Sequence, residues 1–212
     1  MRPVILIALA LALFPRLGPG AALAAADPWQ ICARAAAAAE RAERMPPMLL
    51  HAVSLAESGR WHGERKAPVA WPWTIYAEGA GKFFPSKAGA IAAVERLRAR
   101  GVRNIDVGCM QVNLHYHPDA FADLEGALDP AANAAYAARL LKSLRDSAGS
   151  WAHAVGQYHN SDWRGRGQPY WRKVYGLWNS EQRRIFAERR AARIRANLVA
   201  MARQRDARLA AR

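Results

Sequence analysis

The stretch DVGCMQVN, residues Asp106–Asn113, decides the fold that the sequence predicts. It belongs to a segment, Val102–Asn113, whose pattern is irregular or partly that of a strand, whereas most of the chain has helical patterns. It also contains Cys109, one of only two cysteines in the chain. A short, partly strand-like stretch among helical patterns therefore predicts a mainly helical fold with a small β component.

The elements on either side of this stretch are mostly helices, because apolar residues recur at helical spacing after residues that cap helices, such as Asp27, Ser86 and Ser150. Aromatic and β-branched residues around Glu78–Gly81 predict a small β-hairpin. The expected fold class is mainly α (α+β), a single helical domain with one hairpin and a basic C-terminal helix. The predicted helices are Pro28–Arg44, Pro47–Ser58, Ser86–Arg100, Asp129–Leu144, Ser150–Tyr158, Tyr170–Trp178 and one in the tail.

The charge of the chain is strongly positive and uneven. The 212 residues carry a formal net charge of +14, and Trp178–Arg212 alone contains ten arginines against three acidic residues. Such a surplus suits nucleic acid, an anionic membrane or an anionic wall polymer. An Arg-rich helix is also an ordinary solvated face. Tethering to a wall or membrane surface is the functional alternative for this tail.

The N-terminus has the pattern of a secretory signal peptide over residues 1–26. Arg2 precedes the 11-residue apolar run Val4–Phe14, and small residues in an A-x-A pattern follow. A membrane anchor would need about 20 apolar residues, and Pro15 and Arg16 interrupt the run well before that. We therefore expect an exported, periplasmic protein, which counts against a nucleic-acid partner.

Export also bears on the two cysteines, Cys32 and Cys109. An oxidising compartment allows them to form a disulfide, and two buried thiols are the alternative. The disulfide is the prediction that we favour. It would join the first helix of the mature chain to the segment that contains DVGCMQVN.

Four short motifs carry the functional prediction. They are AESG at Ala56–Gly59, DVGCMQVN at Asp106–Asn113, YAARLL at Tyr136–Leu141 and QYHN at Gln157–Asn160. Their order and spacing resemble those of the SLT-type lytic transglycosylases, which cleave peptidoglycan on a lysozyme-like, mostly helical fold. The resemblance covers residues 27–178, which would form the catalytic domain, and leaves residues 179–212 as the Arg-rich helical tail.

The resemblance implies that Glu57 is the catalytic residue. Cleavage of a glycosidic bond needs an acid, and burial raises the pKa of a Glu so that it keeps its proton near neutral pH. Glu57 ends an apolar run, although a solvated Glu at a helix end is the local alternative. In the family one Glu acts as acid and then as base, with the sugar's own C6 hydroxyl as nucleophile, so no cofactor or metal is expected. Asp106, next to the Gly108–Gln111 turn, is either a second carboxylate of the site or a structural loop cap, and we favour the loop cap.

The same resemblance implies a set of substrate-binding residues. His159 follows Tyr158 where the family usually has Asn, so either His159 or Asn160 takes the place of that amide. Packing on a helix face is the alternative for Tyr158 and Tyr170. His159 is either a base or a polar spacer. The predicted substrate-binding residues are Ser58, Met110, Gln111, Asn113, Tyr158, His159 and Tyr170. Trp61, Trp71 and Trp73 are either a sugar-stacking platform or core.

Two other functions compete with a transglycosylase on peptidoglycan glycan strands. A hydrolytic lysozyme on the same fold would need a second carboxylate or a positioned water. A non-catalytic, wall-binding component of a secretion or flagellar assembly would need no active Glu57. We expect a monomer.

Overall fold

The computed structural model describes residues 27–211. It is 64% helical, with small antiparallel sheets and a long C-terminal helix, which confirms the mainly α (α+β) class. The predicted signal peptide lies outside the described residues. The helices are α1 (Ile31–Ala42), α2 (Leu49–Ser58), α3 (Lys87–Ala99), α4 (Leu124–Ala127), α5 (Pro130–Ala148), α6 (Trp151–His159) and α7 (Gln168–Ala210). The strands are β1 (Gly59–His62), β2 (Ala67–Ala70), β3 (Thr74–Ala77), β4 (Ala80–Phe83), β5 (Ile105–Val107) and β6 (Val112–Asn113).

Helix α2 lies at the centre of the larger core and packs between α1 and the first part of α7. Leu49, Leu50 and Val53 have no solvent exposure, and they share this core with Leu141 of α5 and Val174 of α7. An apolar helix surrounded on all sides is stable only where other helices cover it. The end of α2 is therefore rigidly placed, which matters because Glu57 lies there.

A four-stranded antiparallel sheet in the order β4-β3-β5-β6 packs on a second, smaller core. Ile75, Val107 and Val94 of α3 are among its buried side chains. Strand β5 pairs on one side with β3 and on the other with β6, so that Asp106 lies between Tyr76 and Asn113. The DVGCMQVN stretch is thus a tight strand–turn–strand unit, and the predicted hairpin is β3–β4.

The disulfide between Cys32 and Cys109 is formed, with 5.6 Å between the two Cα atoms, so this prediction is confirmed. It connects α1 to the turn between β5 and β6 across 77 residues. Both residues are buried in the larger core. The bond therefore ties the turn to the helical part of the molecule.

Two elements differ from the sequence prediction. The segment after Ser58 forms a second hairpin, β1–β2, that the sequence did not predict. The predicted helix Tyr170–Trp178 and the tail helix are one continuous helix, α7. The three tryptophans differ in exposure. Trp61 is 66% exposed, whereas Trp71 is 7% exposed and packs against Trp73.

Within residues 27–211, none of the helices is both long and apolar enough to cross a membrane.

Candidate functional site

An open cleft of about 910 Å³ lies between the end of α2, the sheet and α6. It brings together six residues that the sequence analysis discussed, five predicted for the site and Asp106, from distant parts of the chain. Those six are Glu57, Asp106, Gln111, Asn113, Tyr158 and His159. Residues that the sequence analysis did not single out, Tyr76, Asn104, Tyr116, His117 and Arg166, complete much of the lining. Most of these side chains carry hydrogen-bonding groups.

Glu57 occupies the last turn of α2 and is partly buried. The helix ends immediately afterwards at Gly59, where a Cβ atom would lie 2.2 Å from the carbonyl oxygen of Leu55. Glycine therefore allows the chain to turn away sharply, and the Glu57 side chain is left at the wall of the cleft. The predicted helix-end carboxylate is thus a cleft residue and not a freely solvated one.

The surroundings of Glu57 raise its pKa from 4.5 to about 7. Burial is the largest cause, because it disfavours the charged form, and the nearby Asp106 carboxylate adds to the effect. The Tyr170 hydroxyl, which donates a hydrogen bond to Glu57 Oε1 over 2.5 Å, and the Lys173 ammonium act in the opposite direction. Burial outweighs them, so a large fraction of Glu57 is protonated near neutral pH.

Tyr170 and Lys173 reach Glu57 from one face of α7, because residues three apart on a helix are neighbours. The Tyr170 ring is 7% exposed, and Lys173 Nζ donates to the carbonyl oxygen of Ala56 over 2.8 Å. Tyr170 was predicted to bind substrate. It contacts Glu57 but does not line the open cleft. Lys173 was missed. Its spacing from Tyr170 was the signal that could have found it.

The turn between β5 and β6 is held by a buried amide from α5. Asn133 Oδ1 accepts from the backbone N–H of Met110 over 2.9 Å, and its Nδ2 donates to the carbonyl oxygens of Val107 and Ala127, each over 3.0 Å. Gly108 takes a φ of +84°, and a Cβ atom there would lie 2.5 Å from Asn133 Nδ2. Both facts require glycine at this position.

Two predicted substrate-binding residues are buried in this structure and make structural contacts. Ser58 is 1% exposed, and its hydroxyl donates to the carbonyl oxygen of Cys109 over 2.8 Å. Met110 has no exposed surface, so it does not form a wall of the cleft. Its carbonyl oxygen instead accepts from the Tyr158 hydroxyl over 2.7 Å. Both residues fix the turn relative to α2 and α6.

Gln111 lines the cleft from a left-handed backbone conformation with a φ of +48°. Its Nε2 donates to the carbonyl oxygens of Thr74 and Gly108, each over 3.0 Å. Within residues 27–211, no donor contacts its Oε1. The side chain is therefore held in place, with one acceptor left for a ligand.

Asp106 lies on strand β5 and lines the cleft, so our interpretation of it as a loop cap is wrong. Asn113 is the residue that caps the loop, since its Oδ1 accepts from the backbone N–H groups of His115 and Tyr116. Asn113 Nδ2 also donates to Asp106 Oδ1 over 2.6 Å. Burial raises the pKa of Asp106, and this hydrogen bond partly offsets the rise. The cleft thus holds two carboxyl groups with raised pKa values.

The aromatic residues on α6 and α7 form one wall around Glu57. His159 stacks on Tyr170 with ring centroids 4.4 Å apart and planes 7° apart. Burial, with the nearby Lys173 and Arg166 charges, lowers the pKa of His159. Burial and the charge of Glu57 raise the pKa of the Tyr158 and Tyr170 hydroxyls, so both remain protonated donors.

The YAARLL motif also reaches the cleft. Tyr136 shares a hydrogen bond of 2.9 Å with His117 Nδ1, and Leu140 lines the cleft directly. His117 was missed because nothing in its local sequence marks it. Among the three tryptophans discussed above, none lines the cleft.

Residues 27–211 contain no group of three or more His, Cys, Asp or Glu side chains arranged to hold a metal ion. Comparisons with protein-family models, with curated proteins and with solved structures give no match. The chemistry that the site permits therefore rests on its own groups. These are one carboxyl group that holds a proton near pH 7, a second carboxyl group, and a wall of hydroxyl, amide and imidazole groups.

Proposed function

We propose that this protein is a peptidoglycan lytic transglycosylase that cleaves the MurNAc–GlcNAc β-1,4 bond and leaves 1,6-anhydro-MurNAc ends. The observation that carries the proposal is Glu57, a carboxyl group with a pKa of about 7 at the wall of an open polar cleft. The motif resemblance supports the same assignment. Export across the inner membrane, by the predicted signal peptide, would bring the enzyme to its substrate in the periplasm.

Glu57 would act first as a general acid. An ordinary Glu, with a pKa of about 4.3, is almost fully ionised at pH 7 and cannot protonate a leaving group. At a pKa of about 7, roughly half of the molecules carry the proton at neutral pH. Glu57 would give this proton to the bridging oxygen as the bond from C1 of MurNAc to that oxygen breaks.

Glu57 would then act as the base in the same turnover. The C6 hydroxyl of the same MurNAc attacks C1, and its proton returns to the Glu57 carboxylate, so the enzyme is regenerated and no water is consumed. An attacking group on the substrate itself is already positioned, which is a large entropic advantage. The Tyr170 hydroxyl donor and the Lys173 charge would stabilise the carboxylate between the two steps.

The cleft suits a sugar chain because most of its lining groups form hydrogen bonds. Gln111 keeps one free acceptor, and Asn113, Tyr76 and Tyr116 add amide and aromatic surface. Those groups match the hydroxyl and N-acetyl groups of a glycan strand. A secretion or flagellar apparatus is a further partner in this proposal.

Asp106 gives a specific reason to keep a second function, a hydrolytic lysozyme. It shares the cleft with Glu57, and burial raises its pKa. A second carboxylate of this kind could activate water, and the products would then have ordinary reducing ends.

Digestion of purified peptidoglycan by the chain from Asp27 onward tests the proposal, with mass spectrometry of the soluble products. We expect muropeptides that are lighter than the reducing forms by one water. They should be absent with Glu57→Gln and unchanged with Glu95→Gln, a matched exposed Glu on α3. Reducing ends that disappear with Asp106→Asn would instead identify a lysozyme. A folded protein that binds peptidoglycan and releases nothing would identify a non-catalytic component.

A further inference from the structure

The second half of α7 extends away from the domain. Glu181 is the last residue of the helix that is buried, and from Phe186 to Ala210 every residue except Ala191 is exposed. At 1.5 Å per residue, this 25-residue segment, which we call the projecting segment, is roughly 37 Å long. Phe186 and Arg189 at its start line a groove together with α1, and beyond Arg189 no part of the domain within residues 27–211 covers it.

A short apolar stripe runs along one face of the projecting segment. Ile194, Leu198 and Met201 are 48%, 60% and 65% exposed, and their spacing of four and then three residues places them on one stripe. Leu209, which is 63% exposed, continues the stripe two turns and more beyond Met201. Val199, at 52% exposed, lies on a different face and is the natural comparison.

The segment is also strongly basic. Among the described residues, six arginines of this segment have no carboxylate within ion-pair distance, and they are Arg189, Arg190, Arg193, Arg195, Arg203 and Arg208. Arg190 and Arg208 flank the apolar stripe, four residues before Ile194 and seven after Met201, and the other arginines without a partner lie on the remaining faces. Arg205 shares the apolar stripe and pairs with Asp206. Its long aliphatic stem can lie along apolar surroundings while its charged end reaches phosphate groups.

We propose that the projecting segment lies in the surface of an anionic lipid bilayer, with Ile194, Leu198, Met201 and Leu209 in the acyl boundary and the arginines on lipid phosphates. A helix that combines a basic face with an apolar stripe matches the two components of such a surface. Each arginine close to an anionic leaflet contributes to the attraction. The inference is independent of the proposed reaction, because it concerns residues outside the cleft.

Two other occupants fit less well. Pairing with a second copy would bring two segments of the same high positive charge together and would place Arg205 in the seam, so charge opposes it. A glycan or other anionic polymer would attract the arginines but would not bury the apolar stripe. The stripe therefore distinguishes a lipid surface from both.

Flotation with lipid vesicles tests this inference, with the chain from Asp27 to Arg212 so that the apolar run Val4–Phe14 cannot insert. We expect binding to vesicles of phosphatidylglycerol and phosphatidylcholine, and little binding to phosphatidylcholine alone. Leu198→Gln should weaken binding about fivefold, and the triple change Ile194→Gln, Leu198→Gln, Met201→Gln more than tenfold. The control Val199→Gln should change it less than twofold.

Circular dichroism and the rate of peptidoglycan digestion, where it is found, show that each variant remains folded. Equal losses for Leu198→Gln and Val199→Gln would overturn the inference, because the orientation of the stripe would then not matter. Vesicle binding that depends only on the arginines would also overturn it, since the helix would then not enter the surface. Light scattering that gives a dimer dissociated by Leu198→Gln would identify the second copy as the true occupant.

Discussion

The hydroxyl of Tyr170 donates a hydrogen bond to Oε1 of Glu57, although the two residues are 113 positions apart in the chain. Helix α2 supplies the carboxyl group and α7 the donor, and both are fixed by the same core. The hydrogen bond is one of the two interactions that lower the pKa of Glu57 against the effect of burial. It therefore adjusts how much of the acid is protonated at a given pH.

Tyr170→Phe is expected to shift the pH dependence of peptidoglycan cleavage. Without the donated hydrogen bond the pKa of Glu57 rises further, so the limb on which activity falls with increasing pH moves to higher pH. The maximal rate should fall about tenfold, because the ionised intermediate state of Glu57 loses a charge-assisted hydrogen bond. Rate profiles between pH 5 and about 9 check this. Tyr175→Phe, an exposed position on the same helix, should leave the profile unchanged.

Ionisation of Glu57 should lower the free energy of unfolding. The folded-state pKa, about 7, is above the ordinary value of 4.5, so the contribution of this group is fully present below pH 4.5 and is lost as the pH rises through 7. Glu57→Gln removes that loss. The variant should match the original chain near pH 4 and exceed it at pH 8 by up to about 3 kcal/mol in the free energy of unfolding. Urea denaturation at both pH values measures the difference, and a constant difference between the two would contradict it.

The helices were predictable because their signals are local. Ser86, Asp129 and Ser150 each accept a hydrogen bond from the backbone of the first turn, as their positions before apolar periodic runs predicted. The β1–β2 hairpin was not predictable in the same way. Its strands are mostly half-exposed, and they lack the alternation that marks a strand. The apparent break after Trp178 was also misleading, because α7 continues through it and, beyond Glu181, has no buried residue.

The catalytic candidate and the shape of its surroundings differ in how far sequence could predict them. Glu57 stands in a recognisable motif, whereas Asn133, His117 and Lys173 act only through contacts made in the folded chain. The opposite case is Ser58. Its position in a motif suggested that it binds substrate, but its hydroxyl donates a hydrogen bond to the carbonyl oxygen of Cys109. A local pattern identifies a residue, and tertiary packing decides its partner.

Gly108→Ala should disrupt the turn that carries Gln111. The new Cβ would lie 2.5 Å from Asn133 Nδ2, and the φ of +84° is unfavourable for alanine. We expect a loss of about 3 kcal/mol in the free energy of unfolding. Gly79→Ala is the matched control, since its φ is +80° but nothing lies within 4 Å of its Cβ position, and it should lose only about 1 kcal/mol. Equal losses in thermal unfolding would mean that Asn133 moves aside.

Reduction of the Cys32–Cys109 disulfide should destabilise the domain by about 4 kcal/mol, because the bond closes a long loop in the unfolded chain. Denaturant unfolding with and without dithiothreitol measures the change. The double variant Cys32→Ser, Cys109→Ser should be as unstable as the reduced chain and should not respond to dithiothreitol. Unfolding midpoints that are the same in both conditions would contradict the expectation.

Glu181 is expected to hold α7 on α2, and through α7 to hold Tyr170 at Glu57. Its carboxylate lies 3.5 Å from His51 Nε2 and 2.5 Å from Arg184. Burial alone would raise the pKa of Glu181, but the hydrogen bonds from His51 and Arg184 outweigh it and lower the pKa to about 2. The stabilisation is therefore present above pH 4.5 and is lost as the pH falls towards 2.

Glu181→Gln should thus lower the free energy of unfolding at pH 7 by about 2 kcal/mol, and the deficit should shrink steadily between pH 4.5 and 3. Glu188→Gln is the matched control, because its side chain also pairs with Arg184 but is 61% exposed. An exposed ion pair of this kind contributes about 0.5 kcal/mol or less. Urea titrations of both variants across this range measure the effect. A deficit for Glu181→Gln that does not change with pH would show that packing, and not the charge of the carboxylate, holds the helix in place.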